Sequence, residues 1–164
     1  MPEERTRRAA QKDQREGKSP STQAGEYVRE EIERIRKGVH GARSTKQAIA
    51  IGLSMARRDG VRLPAKKTTS KRTQKKAEQD LAAGKAHRPK SARRARATEQ
   101  ALQRESGEAA STEALSRQAT SAAAKRGRSA RSAAAKKAAR TKGASERSAA
   151  AKKAARTRAR RARR

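Results

Sequence analysis

The 164-residue sequence predicts a mostly disordered chain with one small all-α helical hairpin, at about residues 20–37 and 45–59. The first observation is that 38% of the residues are charged, with a net charge of +30 and a single aromatic residue. Such a composition is typical of disorder, because little apolar area is available to offset the entropy of ordering the chain. The second is that most aliphatic residues other than alanine lie within residues 19–64, which we expect to hold the only core.

The first predicted helix begins at Ser19-Pro20, a serine N-cap followed by a proline at the first helical position. Lys37-Gly38 supply a cationic last turn and a glycine stop. An apolar seam follows one side of the helix and consists of Val28, Ile32, Ile35 and Val39. The seam needs a partner, and a homodimer through it is one solution. The acidic run Glu30, Glu31 and Glu33 is interpreted as part of the solvated side.

The second predicted helix begins at the capping box Ser44-Thr45-Lys46-Gln47 and ends at Gly60. Small and apolar residues cover an arc of about 200°, and the remainder is basic and polar. Gly52 lies in the middle of the apolar arc, where the missing side chain would let the first helix approach closely. The alternative interpretation of this glycine is drift in a marginal helix.

The second helix also carries a recognisable motif. Residues 46–58 read KQAIAIGLSMARR and resemble the KQAIAI[AG]LSxAR motif of a family of small, basic bacterial proteins of unknown function. The upstream KGVHG of residues 37–41 resembles a KHG element of that family, with Val39 between the glycine and the histidine. The resemblance covers about a third of the chain and implies a bacterial source but no activity.

Charge and composition divide the chain into five predicted segments. They are a flexible N-terminal arm (1–18), the two-helix mini-domain (19–64), a basic linker (65–98), a near-neutral spacer (99–120) and an Ala/Lys/Arg-rich repeat tail (121–164). The tail holds 17 basic residues and one acidic residue. Two strongly cationic segments therefore flank the spacer.

The tail repeats itself: RSAAAKKAARTK at residues 131–142 recurs at 147–158 with one Lys-to-Arg change. Alanine and lysine favour helix, but like charges four residues apart repel, as at Lys136/Arg140 and Lys152/Arg156. We expect the tail to be largely disordered when free and helical when bound to nucleic acid. Its composition resembles the tails of linker histones and bacterial histone-like proteins.

An excess of positive charge this large indicates a polyanionic partner, and nucleic acid is the abundant one, with DNA favoured over RNA. The tail has no aromatic residue for base stacking, so we expect binding that is independent of sequence. The tail candidates are Lys125, Arg126, Arg128, Arg131, Lys136, Lys137, Arg140, Lys142, Arg147, Lys152, Lys153, Arg156, Arg158, Arg160, Arg161, Arg163 and Arg164.

Four further candidates lie at the second helix, namely Arg43, Lys46, Arg57 and Arg58. They could contact phosphates as the second helix of a helix-turn-helix does, although the connection at residues 38–43 is longer than that motif has. An ordinary solvated surface explains them equally well.

Other function classes find little support in the sequence. The two histidines, His40 and His87, are far apart and have no carboxylate cluster, so we expect neither a metal site nor an enzyme, and no cofactor. The absence of cysteine fits a reducing compartment, and no apolar run is long enough for a membrane span.

The sequence therefore predicts a nucleoid-associated, histone-like protein of the bacterial cytoplasm that binds and compacts DNA without sequence specificity. One alternative is an RNA- or ribosome-associated basic protein, since backbone charge does not separate DNA from RNA. The second is a protein-interaction module whose basic arms tether it to nucleic acid.

Overall fold

A computed structural model of the chain describes residues 2–66, 69–86, 91–141 and 143–162, without the side chains of residues 141, 161 and 162. Within these residues the chain forms eight α-helices and one 3-10 helix, and it divides into two compact units, Met1–Gln118 and Ala119–Arg164. In chain order the helices are α1 (Glu4–Arg15), α2 (Pro20–Arg36), α3 (Thr45–Arg58), α4 (Lys71–Lys85), α5 (Ala92–Gln103), the 3-10 helix η1 (Gly107–Ala110), α6 (Thr112–Lys125), α7 (Gly127–Thr141) and α8 (Ala144–Ala162).

The prediction of a mostly disordered chain is wrong, because helices extend well beyond the predicted hairpin. They also form in the segments predicted to be a flexible arm, a basic linker and a disordered tail. The tail shows the physical reason. Alanine, the strongest helix former, supplies six of the 15 residues of α7 and eight of the 19 of α8, and lysine and arginine follow closely in propensity. Repulsion between like charges four residues apart costs only about 0.2–0.5 kcal/mol per pair. The expected disorder of the free tail is therefore replaced by helices.

The two helices expected within residues 19–64 are present as α2 and α3. At α3 the Ser44 Oγ accepts a hydrogen bond from the Gln47 N–H at 3.2 Å, and the Gln47 Oε1 accepts one from the Arg43 N–H at 2.9 Å. At α2 the Ser19 side chain accepts no backbone N–H, and its Oγ instead contacts the Thr22 hydroxyl at 3.0 Å. The side-chain cap by Ser44 is therefore confirmed, but Gln47 accepts from the residue before the cap, so the reciprocal hydrogen bond of a complete capping box is not formed. At α2 the predicted Ser19 cap lacks its side-chain hydrogen bond to the backbone.

The close approach predicted at Gly52 is confirmed. A Cβ atom placed on Gly52 would lie 2.7 Å from the Val28 Cα and 2.9 Å from the Val28 N. These distances are far inside van der Waals contact, so α2 and α3 cross with backbone against backbone. The drift interpretation of this glycine is therefore excluded.

The core of the first unit is larger than the predicted hairpin, and alanine is the reason. One cluster of buried residues consists of Ala10, Ala24, Tyr27, Met55, Ala56 and Val61, and the other of Ile32, Ile35, Ala42, Ala48, Ala109 and Ala110. Ala10 belongs to α1 and Ala109 and Ala110 to η1. Small side chains let these elements come close to α2 and α3, so packing replaces the aliphatic bulk that the sequence lacks.

Polar contacts fix the added elements to the hairpin. The Asp59 carboxylate, at the end of α3, accepts hydrogen bonds from the Arg7 Nε at 3.0 Å and from the Tyr27 hydroxyl, which joins α1, α2 and α3. The Thr45 Oγ1 donates to the Ala109 carbonyl at 2.7 Å, and the Arg36 Nε donates to the Ala110 carbonyl at 2.9 Å. The segment expected to be a spacer thus completes the core.

The apolar seam of α2 finds its packing partner within the chain. Ile32 and Ile35 are buried in the cluster with Ala48 and the η1 alanines, whereas Val39 is 47% exposed. Pairing of two chains through this seam stays a prediction.

Candidate nucleic-acid interface

Two of the predicted α3 cations, Arg57 and Arg58, are half-buried and contact the protein itself. The Arg57 Nε donates a hydrogen bond to the Leu63 carbonyl at 2.7 Å, and burial lowers the pKa of its guanidinium. The Arg58 Nε lies 2.9 Å from the Asp80 Oδ1. Both guanidinium groups therefore contribute to the packing of the first unit.

Asp80 is the centre of a polar cluster that attaches α4 to α3. Its side chain is fully buried, and its carboxylate accepts hydrogen bonds from the Ser54 Oγ at 2.8 Å, the Arg58 Nε at 2.9 Å and the Lys76 Nζ at 2.9 Å. Burial would raise the pKa of this carboxyl, but the hydrogen bonds from Lys76 and Ser54 and the charges of Lys76 and Arg58 outweigh it. The pKa of Asp80 accordingly lies below its ordinary value.

Asp80→Asn is expected to lower the free energy of unfolding at pH 7 by about 1.5–3 kcal/mol, the range for hydrogen bonds to charged groups. Because the folded pKa is depressed, the stabilisation is present above the unfolded pKa of about 3.9 and is lost as the pH falls through the folded pKa. Urea unfolding at pH 7 and at pH 3 measures this, and the gap between variant and wild type should shrink at the lower pH.

Glu78→Gln is the matched control, because Glu78 is an exposed carboxylate on the same helix. It should change the free energy of unfolding by no more than about 0.5 kcal/mol. An Asp80→Asn variant as stable as the control at pH 7 would show that the cluster does not hold α4.

The other two α3 candidates, Arg43 and Lys46, are exposed. The Arg43 Nε lies 3.5 Å from the Glu105 Oε1, a pair in which the arginine side chain remains 84% exposed. No ion pair of Lys46 occurs in the part of the chain that the structure describes. The four α3 candidates therefore do not form one open cationic surface.

The tail candidates are arranged differently, with exposed side chains along successive helices of the second unit. Lys125 is the last residue of α6 and Arg126 follows it, while α7 carries Arg128, Arg131, Lys136, Lys137 and Arg140. On α8 the exposed cations are Arg147, Lys152, Lys153, Arg156, Arg158 and Arg160. The side chain of Arg161 and the residues Lys142, Arg163 and Arg164 lie outside the described residues.

Helix α8 gives its cations a regular order. Lys152, Arg156 and Arg160 recur every four residues and form one stripe, with a rise of about 6 Å between neighbours. Arg147 and Arg158 lie on the other side of the same helix. Glu146 is the only acidic residue in the sequence from residue 119 to residue 164, so carboxylate side chains in this unit can neutralise almost none of the positive charge.

The buried acidic residues of α2 are what the sequence interpretation missed. Glu30 and Glu31 are 2% and 1% exposed, so they do not belong to a solvated side. The Glu30 carboxylate accepts the Glu3 N–H at 3.1 Å, and the Glu31 Oε1 lies 3.7 Å from the His40 Nε2. Their burial follows from α1 and the connection after α2 packing over them, which no local pattern reveals.

The described residues offer neither a metal-binding cluster nor a membrane-spanning helix. No group of three or more His, Cys, Asp or Glu residues there could hold a metal ion. No described helix is both long and apolar enough to cross a membrane. His87 lies outside the described residues.

Residues 16–67 match a family of unknown function (DUF6496). The matched segment contains α2, α3 and the motif of residues 46–58, and the tail lies outside it. No curated protein and no solved structure matches the chain.

Proposed function

We propose that the chain binds nucleic acid through the cationic helices of its second unit, without reading sequence, and that duplex DNA is its main ligand. The observation that carries the proposal is the exposure of the described α7 and α8 cations, in a unit whose sequence contains 17 basic residues and one acidic residue. The cations of the first unit offer no comparable surface on α3, where Arg57 and Arg58 contact the protein.

The energy of such binding comes from the phosphates. Each phosphate that a lysine or arginine neutralises releases condensed counterions, and this term supplies essentially all of non-specific affinity. Helices keep the cations at fixed intervals before the ligand binds. Less conformational entropy is therefore lost on binding than a disordered tail would lose, which favours affinity. Phosphate contacts carry no sequence information, and the second unit has no aromatic side chain on which bases could stack.

Many such proteins on one duplex would lower its net charge and favour its compaction, the role of a nucleoid-associated protein in bacteria. An RNA- or ribosome-associated role uses the same contacts with the backbone. A competition experiment separates the two roles.

Two unrelated duplex DNAs, a duplex RNA and a single strand of equal length should be compared for binding to the full chain. We expect the two DNAs to compete within about twofold of each other, because backbone contacts dominate. A preference of 100-fold for one DNA sequence would contradict the proposal. A tenfold preference for RNA would instead favour the RNA-associated role.

A further inference from the structure

Helix α4 lies in a segment that the sequence interpretation treated as a solvated linker, yet one of its sides is buried. Ala77, Asp80 and Gly84 recur at intervals of three and four residues, and each is buried. A Cβ atom on Gly84 would lie 2.5 Å from the Arg57 carbonyl oxygen, so α4 lies directly against the end of α3. The packing fixes which side of α4 faces outward.

The outward side of α4 is cationic. Lys71 and Lys75 are separated by one helical turn and project opposite the Ala77–Asp80–Gly84 side, with Arg72 beside them. All three side chains are exposed. We call Lys71, Arg72 and Lys75 the α4 basic face.

The α4 basic face keeps a net positive charge, because its three cations share the outward side of α4 with a single carboxylate, that of the exposed Glu78, three residues after Lys75. Lys76 and Arg58 both form ion pairs with Asp80, but no ion pair of the α4 basic face occurs among the described residues. Lys71 and Lys75 repel each other, and no acidic residue balances the cations in the first turn, where the helix dipole disfavours positive charge. Both effects destabilise the first turns of α4. An external anion bound there would reduce both, because it would offset the positive charge.

We infer that the α4 basic face is a second site for nucleic-acid phosphates, on a different compact unit from the α7 and α8 cations. The inference rests on the proposed function. It adds that one chain contacts two nucleic-acid segments, the tail helices holding the first and the α4 basic face the second. A chain that holds a different duplex at each site bridges the two, which is a more specific basis for compaction than the neutralisation of one.

The test compares two charge-matched triple variants of the full chain. One is Lys71→Gln, Arg72→Gln and Lys75→Gln, and the other, on α8, is Lys152→Gln, Arg156→Gln and Lys153→Gln. Each removes two lysines and one arginine, and glutamine keeps nearly the same helix propensity. Fluorescence anisotropy measures affinity for one short duplex, and capture of a labelled duplex by duplex-coated beads measures bridging.

We expect the α4 variant to bind the single duplex within about twofold of wild type but to need at least about tenfold more protein for bridging, because the tail contacts remain. The α8 variant should lose single-duplex affinity and still bridge once its concentration is raised to saturation. Bridging by the α4 variant at the wild-type concentration would overturn the inference alone. A tenfold loss of single-duplex affinity in the α4 variant would show that the α4 basic face contributes to binding the first duplex. It would overturn the assignment of this face to a second duplex. Failure of the wild-type chain to bind any duplex would overturn the proposed function as well.

Discussion

Gly52→Ala is expected to destabilise the first unit by a net amount of about 2 kcal/mol. The added methyl group meets the backbone of Val28, which cannot rotate away as a side chain could, so α2 and α3 must separate. Overpacking of this kind costs about 3 kcal/mol at the upper end of its usual range. The higher helix propensity of alanine offsets about 1 kcal/mol of that cost. Urea unfolding followed by circular dichroism gives the change in the free energy of unfolding.

Gly25→Ala is the control with the opposite expected sign. Gly25 lies in α2, and a Cβ atom placed on it meets nothing within 4 Å. The substitution should therefore stabilise the protein by about 0.5–1 kcal/mol, the normal gain for glycine to alanine in a helix. If both variants are stabilised, α2 and α3 do not cross at Gly52.

Neutralising the six exposed α8 cations with glutamine should weaken binding to a short duplex by about 100-fold at low salt, because non-specific affinity is mostly electrostatic. The substituted residues are Arg147, Lys152, Lys153, Arg156, Arg158 and Arg160. All six are exposed residues of the second unit, so the fold of the first unit should be unchanged. Fluorescence anisotropy at a fixed salt concentration measures the loss.

A variant that exchanges lysine and arginine at the same six positions keeps the charge and changes the donor geometry. If phosphates are contacted as charges, its affinity should stay within about threefold of wild type, because the number of phosphates neutralised is unchanged. A loss as large as that of the glutamine variant would show that specific guanidinium contacts to bases or phosphates carry the binding.

Local signals predicted the hairpin well and the rest of the fold poorly. The Ser44 cap depends on residues near in sequence, and the close approach at Gly52 was predicted from the position of this glycine in the apolar arc of one helix. Both features are present in the structure. The packing of Ala109 and Ala110 on α2 and α3 joins residues more than 60 positions apart, and alanine gives no signal of burial. The extent of the core therefore could not be derived from aliphatic content.

The candidate interface shows the same division. The sequence indicates which residues are cationic, but the fold decides which of them already contact other residues of the protein. Arg58 contacts Asp80, a residue 22 positions away that looks like part of a basic linker. The tail cations needed no such correction, because their exposure follows from helices without apolar residues other than alanine.

The salt dependence of duplex binding by the full chain and by the six-glutamine α8 variant shows whether the α8 cations supply the binding energy. If the α8 cations displace counterions, log Kd should rise with log salt at about 0.9 per phosphate neutralised, and the variant should lose up to about five units of that slope. We expect this flattening together with weaker binding at low salt. Equal slopes and equal affinities for the two proteins would contradict it and would assign the binding to another part of the chain.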